Sequence, residues 1–204
     1  DDEDDDKEKE LEPVELTRFD KTVDVDKVWS AKIGDGLGKK YLRIRVAVAA
    51  DRIFAADGYG LVEARDRFTG KRIWRVELPG PEEGMLSGLN VFDRRDPSWV
   101  SGAVGYAHGL VLIGTTRGEV IALSAVDGSE TWRASVDAEV LAPPVGGDDL
   151  IYVRTEDGRL LALDRKDGAQ RWSFDSPVPV LTLRGTSTPV FGNGLVYAGF
   201  DDGM

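Results

Sequence analysis

Carboxylates are the main side chains in this chain that could do chemistry, and they stand in two settings. Residues 1–26 hold thirteen Asp and Glu against four Lys and Arg. A dense acidic run such as DDEDDDKEKELEPVELTRFD could gather a hard cation like calcium, which takes roughly six to eight oxygen ligands. The run lacks the ordered ligand spacing and the turn glycine of a cation loop, and it has too few apolar residues to fold alone. The expectation is a solvated tether over 1–26. The second setting is Asp before Gly: Asp57-Gly58, Asp127-Gly128, Asp157-Gly158, Asp167-Gly168 and Asp202-Gly203. Asp-Gly between strand-like runs marks a hairpin, because Gly accepts positive φ without steric cost. Turn geometry therefore accounts for these aspartates without a metal. The single histidine, His108, precedes Gly109 at an expected hairpin turn and reads as a solvated turn residue. With no cysteine, disulfides, thiolate metal sites and thiol nucleophiles are excluded. No catalytic constellation is visible, and no cofactor is expected.

The elements that hold these residues follow from a repeat. Gly60, Gly118 and Gly158 are each followed fourteen residues later by a tryptophan: Trp74, Trp132 and Trp172. A second glycine always stands four residues before the Trp, at Gly70, Gly128 and Gly168. A fixed internal period means that one small unit is copied along the chain. A further copy begins at Asn193, and a lone Trp29 in KVWSAKIG reads as the tail of an earlier one.

Each copy is built from short apolar, β-branched runs such as LVLIGTT, EVIALS, LIYVRT and RLLALD. These have strand length, and none shows sustained helical periodicity with a cap. The reading is four antiparallel strands per unit, in the third unit over 140–146, 150–155, 159–164 and 170–174. Repeats of this length with four strands make an all-β β-propeller of four-stranded antiparallel blades. A single blade cannot bury both faces alone. Each Trp is expected on an outermost strand, buried between neighbouring blades, as a structural residue and not part of a ligand cage. The repeats occupy 27–204 and break off within a unit.

Charge supports the same division. The formal net charge is −11, but residues 1–26 carry −9 of it, so the repeats are nearly neutral. No basic stripe points to nucleic acid. Neither a signal peptide nor an apolar run long enough to span a membrane is present. The chain opens inside an acidic linker, as a trimmed or processed chain would.

Function is sought where the repeat is irregular, since insertions map to loops. From Trp132 to the next turn glycine, Gly158, is 26 residues; from Trp74 to Gly118 it is 44, and from Trp172 to Gly203 it is 31. The first excess falls in 79–99, PGPEEGMLSGLNVFDRRDPSW, which carries Met85, Leu86, Leu89, Val91 and Phe92. It reads either as a loop folded over the rim or as a partner-binding excursion. The second falls in DSPVPVLTLRGTSTP, where Leu181, Leu183 and Arg184 lie in a Pro-bracketed connection. Two leucines beside an arginine suit an interface anchor; a buried loop is the alternative.

The units ARDRFTGKRIW, ALSAVDGSETW and ALDRKDGAQRW resemble the propeller repeats of quinoprotein dehydrogenases and of the BamB family. The stretches ELTRF, RGEVIALSAVDG, EVLAPPV and above all VLTLRGTSTPV are most similar to the BamB family, from about residue 15 to the end. That resemblance implies an eight-bladed propeller, of which this chain would supply about half a ring. It implies a non-enzymatic scaffold subunit of the outer-membrane protein assembly machinery, at the periplasmic face of the bacterial outer membrane. The implied partner is the periplasmic part of BamA, with unfolded outer-membrane proteins as a second candidate. The Leu-x-Leu-Arg segment of the family contacts BamA, which here falls on Leu181, Leu183 and Arg184. Membrane attachment in the family runs through a lipidated N-terminal Cys, absent from this chain. Two other readings stand beside it: a fragment of a pyrroloquinoline-quinone dehydrogenase, and a generic propeller binding module.

Overall fold

A computed structural model describes residues 17, 20, 22–37, 44–80, 98–177 and 187–200. Among them the regular secondary structure is entirely strand. Three four-stranded antiparallel meanders follow one another. Blade 1 holds β1 (Ala47–Ala49), β2 (Arg52–Ala56), β3 (Leu61–Asp66) and β4 (Arg72–Glu77). Blade 2 holds β5 (Gly105–Ala107), β6 (Leu110–Gly114), β7 (Glu119–Ser124) and β8 (Glu130–Ser135). Blade 3 holds β9 (Val145–Gly147), β10 (Leu150–Arg154), β11 (Arg159–Asp164) and β12 (Gln170–Asp175). A fourth sheet contains β13 (Val190–Gly192) paired with β14 (Leu195–Tyr197). This is the propeller architecture that the repeat predicts.

The two-residue side-chain period of a strand explains how one blade serves two neighbours. In blade 2, Val111, Ile113, Ile121 and Leu123 join blade 1's Phe54, Val62, Ala64 and Trp74 in one core. The intervening Leu110, Leu112, Val120 and Ala122 join blade 3's Ile151, Val153, Leu161 and Leu163 in a second. The middle strands are thus apolar on both faces, which is why EVIALS and LVLIG read as continuous runs. Each such Val, Leu, Ile or Phe side chain contributes about 1.5–3 kcal/mol on burial.

The tryptophans occupy equivalent places. Trp74, Trp132 and Trp172 stand on the fourth strand of their blades, opposite Ala64, Ala122 and Ala162. A register shift follows that pair in every blade, so a bulge precedes each Trp. The indole of Trp74 donates to the Ala125 carbonyl at 3.0 Å, and that of Trp132 to Arg165 at 2.9 Å. Trp29 donates to Arg67 at 2.9 Å in the same manner. The acceptor always lies three residues before a turn glycine, and that glycine lies under the ring. A Cβ at Gly70, Gly128 or Gly168 would come within 2.6–2.8 Å of Trp29, Trp74 or Trp132 respectively. Trp29 therefore meets blade 1 as the tail of an earlier copy would.

Three expectations need correction. Trp74 and Trp132 are buried, but Trp172 is 38 % exposed, because no described residue presents a turn glycine to it. The first strand of blade 3 begins at Val145; Val140 makes only an isolated bridge to Thr155, since Pro143 and Pro144 offer no N–H for a ladder. Gly58 does not adopt positive φ; Gly60 does, at 105°. Asp57 takes the place that Thr115 and Thr155 hold in the later blades. Its carboxylate accepts the N–H groups of Tyr59 and Leu61, both at 2.9 Å, which moves the tight position to Gly60. Gly128, Gly158 and Gly168 do have positive φ, and Asp202-Gly203 lies outside the described residues. His108 is exposed, with φ 52°, in the two-residue turn with Gly109.

Candidate functional site

The connections between blades all spring from one corner. Past each fourth strand an N–H donates back to the glycine carbonyl of that blade's own second turn: Leu78 to Gly60 at 2.9 Å, Val136 to Gly118 at 2.7 Å and Ser176 to Gly158 at 3.1 Å. Those glycines have φ of 105°, 74° and 88°, which L side chains rarely adopt. The chain then crosses to the next blade. It arrives through Val100 bridging Thr115 and through Val140 bridging Thr155. All three connections, starting after Leu78, Val136 and Ser176, therefore emerge on one face.

Among the described residues that face is largely polar, with Trp99 as a large aromatic anchor. Trp99 is buried over Gly60, where a Cβ would lie 2.5 Å from its ring, and its indole donates to the Tyr59 carbonyl at 3.0 Å. Between blades 2 and 3 an open depression of about 540 Å³ is lined by Thr116, Arg117, Asp137, Glu139, Glu156 and Asp157. Arg159 engages one of these carboxylates, donating to Asp157 at 2.7 Å and to the Val136 carbonyl at 2.7 Å. The carboxylates outnumber the guanidiniums, so this mouth favours a cationic visitor.

At the opposite end of the blades the turn carboxylates are already occupied. Asp66 is held below its ordinary range by the Thr69 hydroxyl and N–H, and Asp127 by the N–H and hydroxyl of Ser129. Asp164 is held down by the Arg171 guanidinium, 2.6 Å away, and by the Lys166 N–H. These groups complete Asx-type turns.

Leu181, Leu183 and Arg184 lie outside the described residues, as does 81–97 of the long insertion. Their flanks are described: Ser176 and Pro177 before the first, Ser187 after it, Gly80 and Ser98 around the second. Sequence reasoning missed two buried charges. Glu63 is 2 % exposed on β3, at the place of Ile121 and Leu161, and is paired with Arg65 at 2.6 Å, Arg72 and Arg75. Arg154 is also 2 % exposed, at the place of Ala56 and Gly114. Aligning the copies position by position exposes both, because a charge then stands in an apolar column.

Comparison with known proteins settles the family. A family profile described as outer membrane protein assembly factor BamB matches residues 15–92 and 87–204. The chain belongs to the BamB family. Outer membrane protein assembly factor BamB of Xanthomonas campestris is 46 % identical over 195 residues, covering 96 % of this chain and 46 % of that protein. The Escherichia coli BamB is 41 % identical over 175 residues, covering 86 % and 43 %. The crystal structure of BamB from Moraxella catarrhalis superposes with a TM-score of 0.64 at 25 % identity, over 78 % of this chain and 43 % of that one. This BamB-family chain thus spans about half the length of the curated relatives it matches.

Proposed function

We propose that this chain is part of a non-enzymatic scaffold that supports the insertion of β-barrel proteins into the outer membrane from its periplasmic face. The observation that carries the reading is the family match over nearly the whole chain, to relatives named as outer membrane protein assembly factors. The finer proposal is that the scaffold binds the periplasmic domains of BamA through Leu181, Leu183 and Arg184. The common corner supports it: this connection, five residues longer than the shortest interval requires, leaves from Ser176 on the same face as the long insertion. Counting back six residues from the first strands β5, β9 and β13 gives Trp99, Glu139 and Arg184, and the first two border that face. An apolar pair beside a fork-shaped cation can anchor a partner that offers a small pocket and a carboxylate. Unfolded outer-membrane proteins are a second class of partner for the same scaffold.

The test is a titration of the intact protein with purified BamA periplasmic domains. Arg184→Glu should weaken binding at least tenfold, about 1.4 kcal/mol, with little change in melting temperature. Unchanged binding with a melting temperature lowered by several degrees would make the segment core packing and end the proposal.

A further inference from the structure

We infer that Asp57 is the clasp of a strap: residues 29–37 are fastened across blade 1 at two ends and open from it while the blades stay folded. Trp29 holds one end, at the third turn, with its indole on the Arg67 carbonyl and Gly70 under its ring. The other end lies at the second turn, on the connection face. There the Gly58 N–H donates to the Gly36 carbonyl at 2.7 Å. The same latch recurs in the next two blades, where Thr116 donates to Trp99 and Glu156 to Glu139, both at 2.8 Å. Gly34, five residues after Trp29, has a positive φ of 45°, and Asp137, five residues after Trp132, has one of 59°. The strap therefore follows the course of a fourth strand and its exit. The chain before Trp29 leaves from the opposite rim, with Val23, Val25 and Val28 exposed.

One contact sets this junction apart. In blades 2 and 3 the arriving chain is tied down by a bridge, Val100 to Thr115 and Val140 to Thr155. Leu37 stands in the corresponding place, but among the described residues it forms no bridge to Asp57. A carboxylate takes over. Asp57 is buried, and burying a carboxylate is costly unless donors surround it. Its Oδ1 serves the turn, accepting from Tyr59 and Leu61, while Oδ2 accepts the Asp35 N–H at 3.1 Å. A threonine supplies the turn bond equally well, as Thr115 does in accepting the Glu119 N–H at 3.0 Å, but it has no second oxygen for the strap. Gly34 packs against the same carboxylate: a Cβ there would overlap Oδ2 and lie 2.8 Å from Cδ2 of Leu61. The strap contains no strand among the described residues. Contacts at its two ends hold it, not a ladder, and such a segment opens more readily than a core strand.

Amide hydrogen exchange and brief trypsin digestion of the intact protein compare the parent with Asp57→Thr, Gly34→Ala and Trp29→Phe. Asp57→Thr keeps the turn and removes the clasp. Exchange at Asp35 and Gly58 should quicken about tenfold while Val111 and Ile121 of blade 2 exchange as before. Trypsin should cut after the exposed Lys32 roughly fivefold faster. Trp29→Phe loosens the far end and should quicken exchange at Asp35 several-fold, because the strap opens as one unit. Gly34→Ala leaves Asp57 in its turn, pushes the strap away from it, and gives the same signature if Asp57→Thr fails to fold. Added to Asp57→Thr, Gly34→Ala should quicken exchange less than it does alone, since the oxygen it collides with is gone. The inference is overturned if Asp57→Thr, or Gly34→Ala where that variant stands in, leaves exchange at Asp35 and cleavage at Lys32 at the parent rate. Equal quickening in blade 2 would make Asp57 a general stabiliser and overturn it as well. So would a Trp29→Phe variant that leaves Asp35 unchanged.

Discussion

Two glycines with nearly the same backbone should respond very differently to the same substitution. Gly109 has φ +77° and Gly128 has φ +80°, so an added Cβ strains both. That shared strain costs about 1–2 kcal/mol. Around Gly109 the new Cβ meets nothing within 4 Å. At Gly128 it lies 2.8 Å from Cε3 of Trp74 and 2.8 Å from Cγ1 of Val76. Trp74 cannot withdraw freely, because it is buried and its indole is bonded to Ala125. Crowding of that kind adds roughly 1–3 kcal/mol. Gly109→Ala should therefore cost about 1–2 kcal/mol and Gly128→Ala about 2–5 kcal/mol. Gly192→Ala is the control: it has no positive φ and nothing within 4 Å, so it should be neutral or stabilising by roughly 0.4–1 kcal/mol. Urea unfolding followed by tryptophan emission reads all three, with stability taken from the linear dependence on denaturant. If Gly109→Ala costs as much as Gly128→Ala, turn glycines do not serve as seats for the tryptophans and the account of blade docking is wrong.

Trp74→Phe keeps most of the ring and removes one of the two side-chain donors to the Ala125 carbonyl, which still accepts from Arg52 Nη1 at 2.7 Å, so loss of that hydrogen bond should cost about 0.5–1.5 kcal/mol in the same unfolding assay. The folded-state pKa values of Asp66, Asp127 and Asp164 are lowered, so the stability they contribute is present above the unfolded value, about 3.9, and is lost as pH falls through the folded values. Melting temperature should therefore decline below about pH 4, and the triple change to Asn should flatten that decline. Addition of pyrroloquinoline quinone and calcium should give no stoichiometric change in quinone absorbance and no dehydrogenase turnover; saturable binding at one site would contradict the scaffold reading.

Much of the fold is legible because it is periodic. The fourteen-residue Gly-to-Trp spacing places Trp74, Trp132 and Trp172 on corresponding strands, since the turn, third strand, second turn and bulge between them have fixed lengths. Burial is less legible, because it depends on what lies opposite. Trp172 has the same local sequence pattern as Trp132, yet it is the neighbour's turn glycine that covers the ring. The substitution of one polar group for another also hides in the sequence. Asp57 does with a carboxylate at Leu61 what Thr115 does with a hydroxyl at Glu119, so the Asp-Gly signal there points to the wrong glycine. Glu63 and Arg154 break the apolar alternation and show only when the copies are compared position by position. The candidate contact residues are legible as an irregularity and through the family resemblance of VLTLRGTSTPV: Leu181 and Leu183 keep an apolar pair in a stretch whose length the repeat does not need.

The most direct test of the central claim is site-specific photocrosslinking in living bacteria. A photoreactive residue replaces Leu183 in the intact protein, with Phe68 and Val126, exposed on the opposite rim, as comparison sites. The account predicts a crosslink to BamA from position 183 and none from 68 or 126. A crosslink from 68 or 126 with none from 183 would place the contact face at the other end of the blades and contradict it.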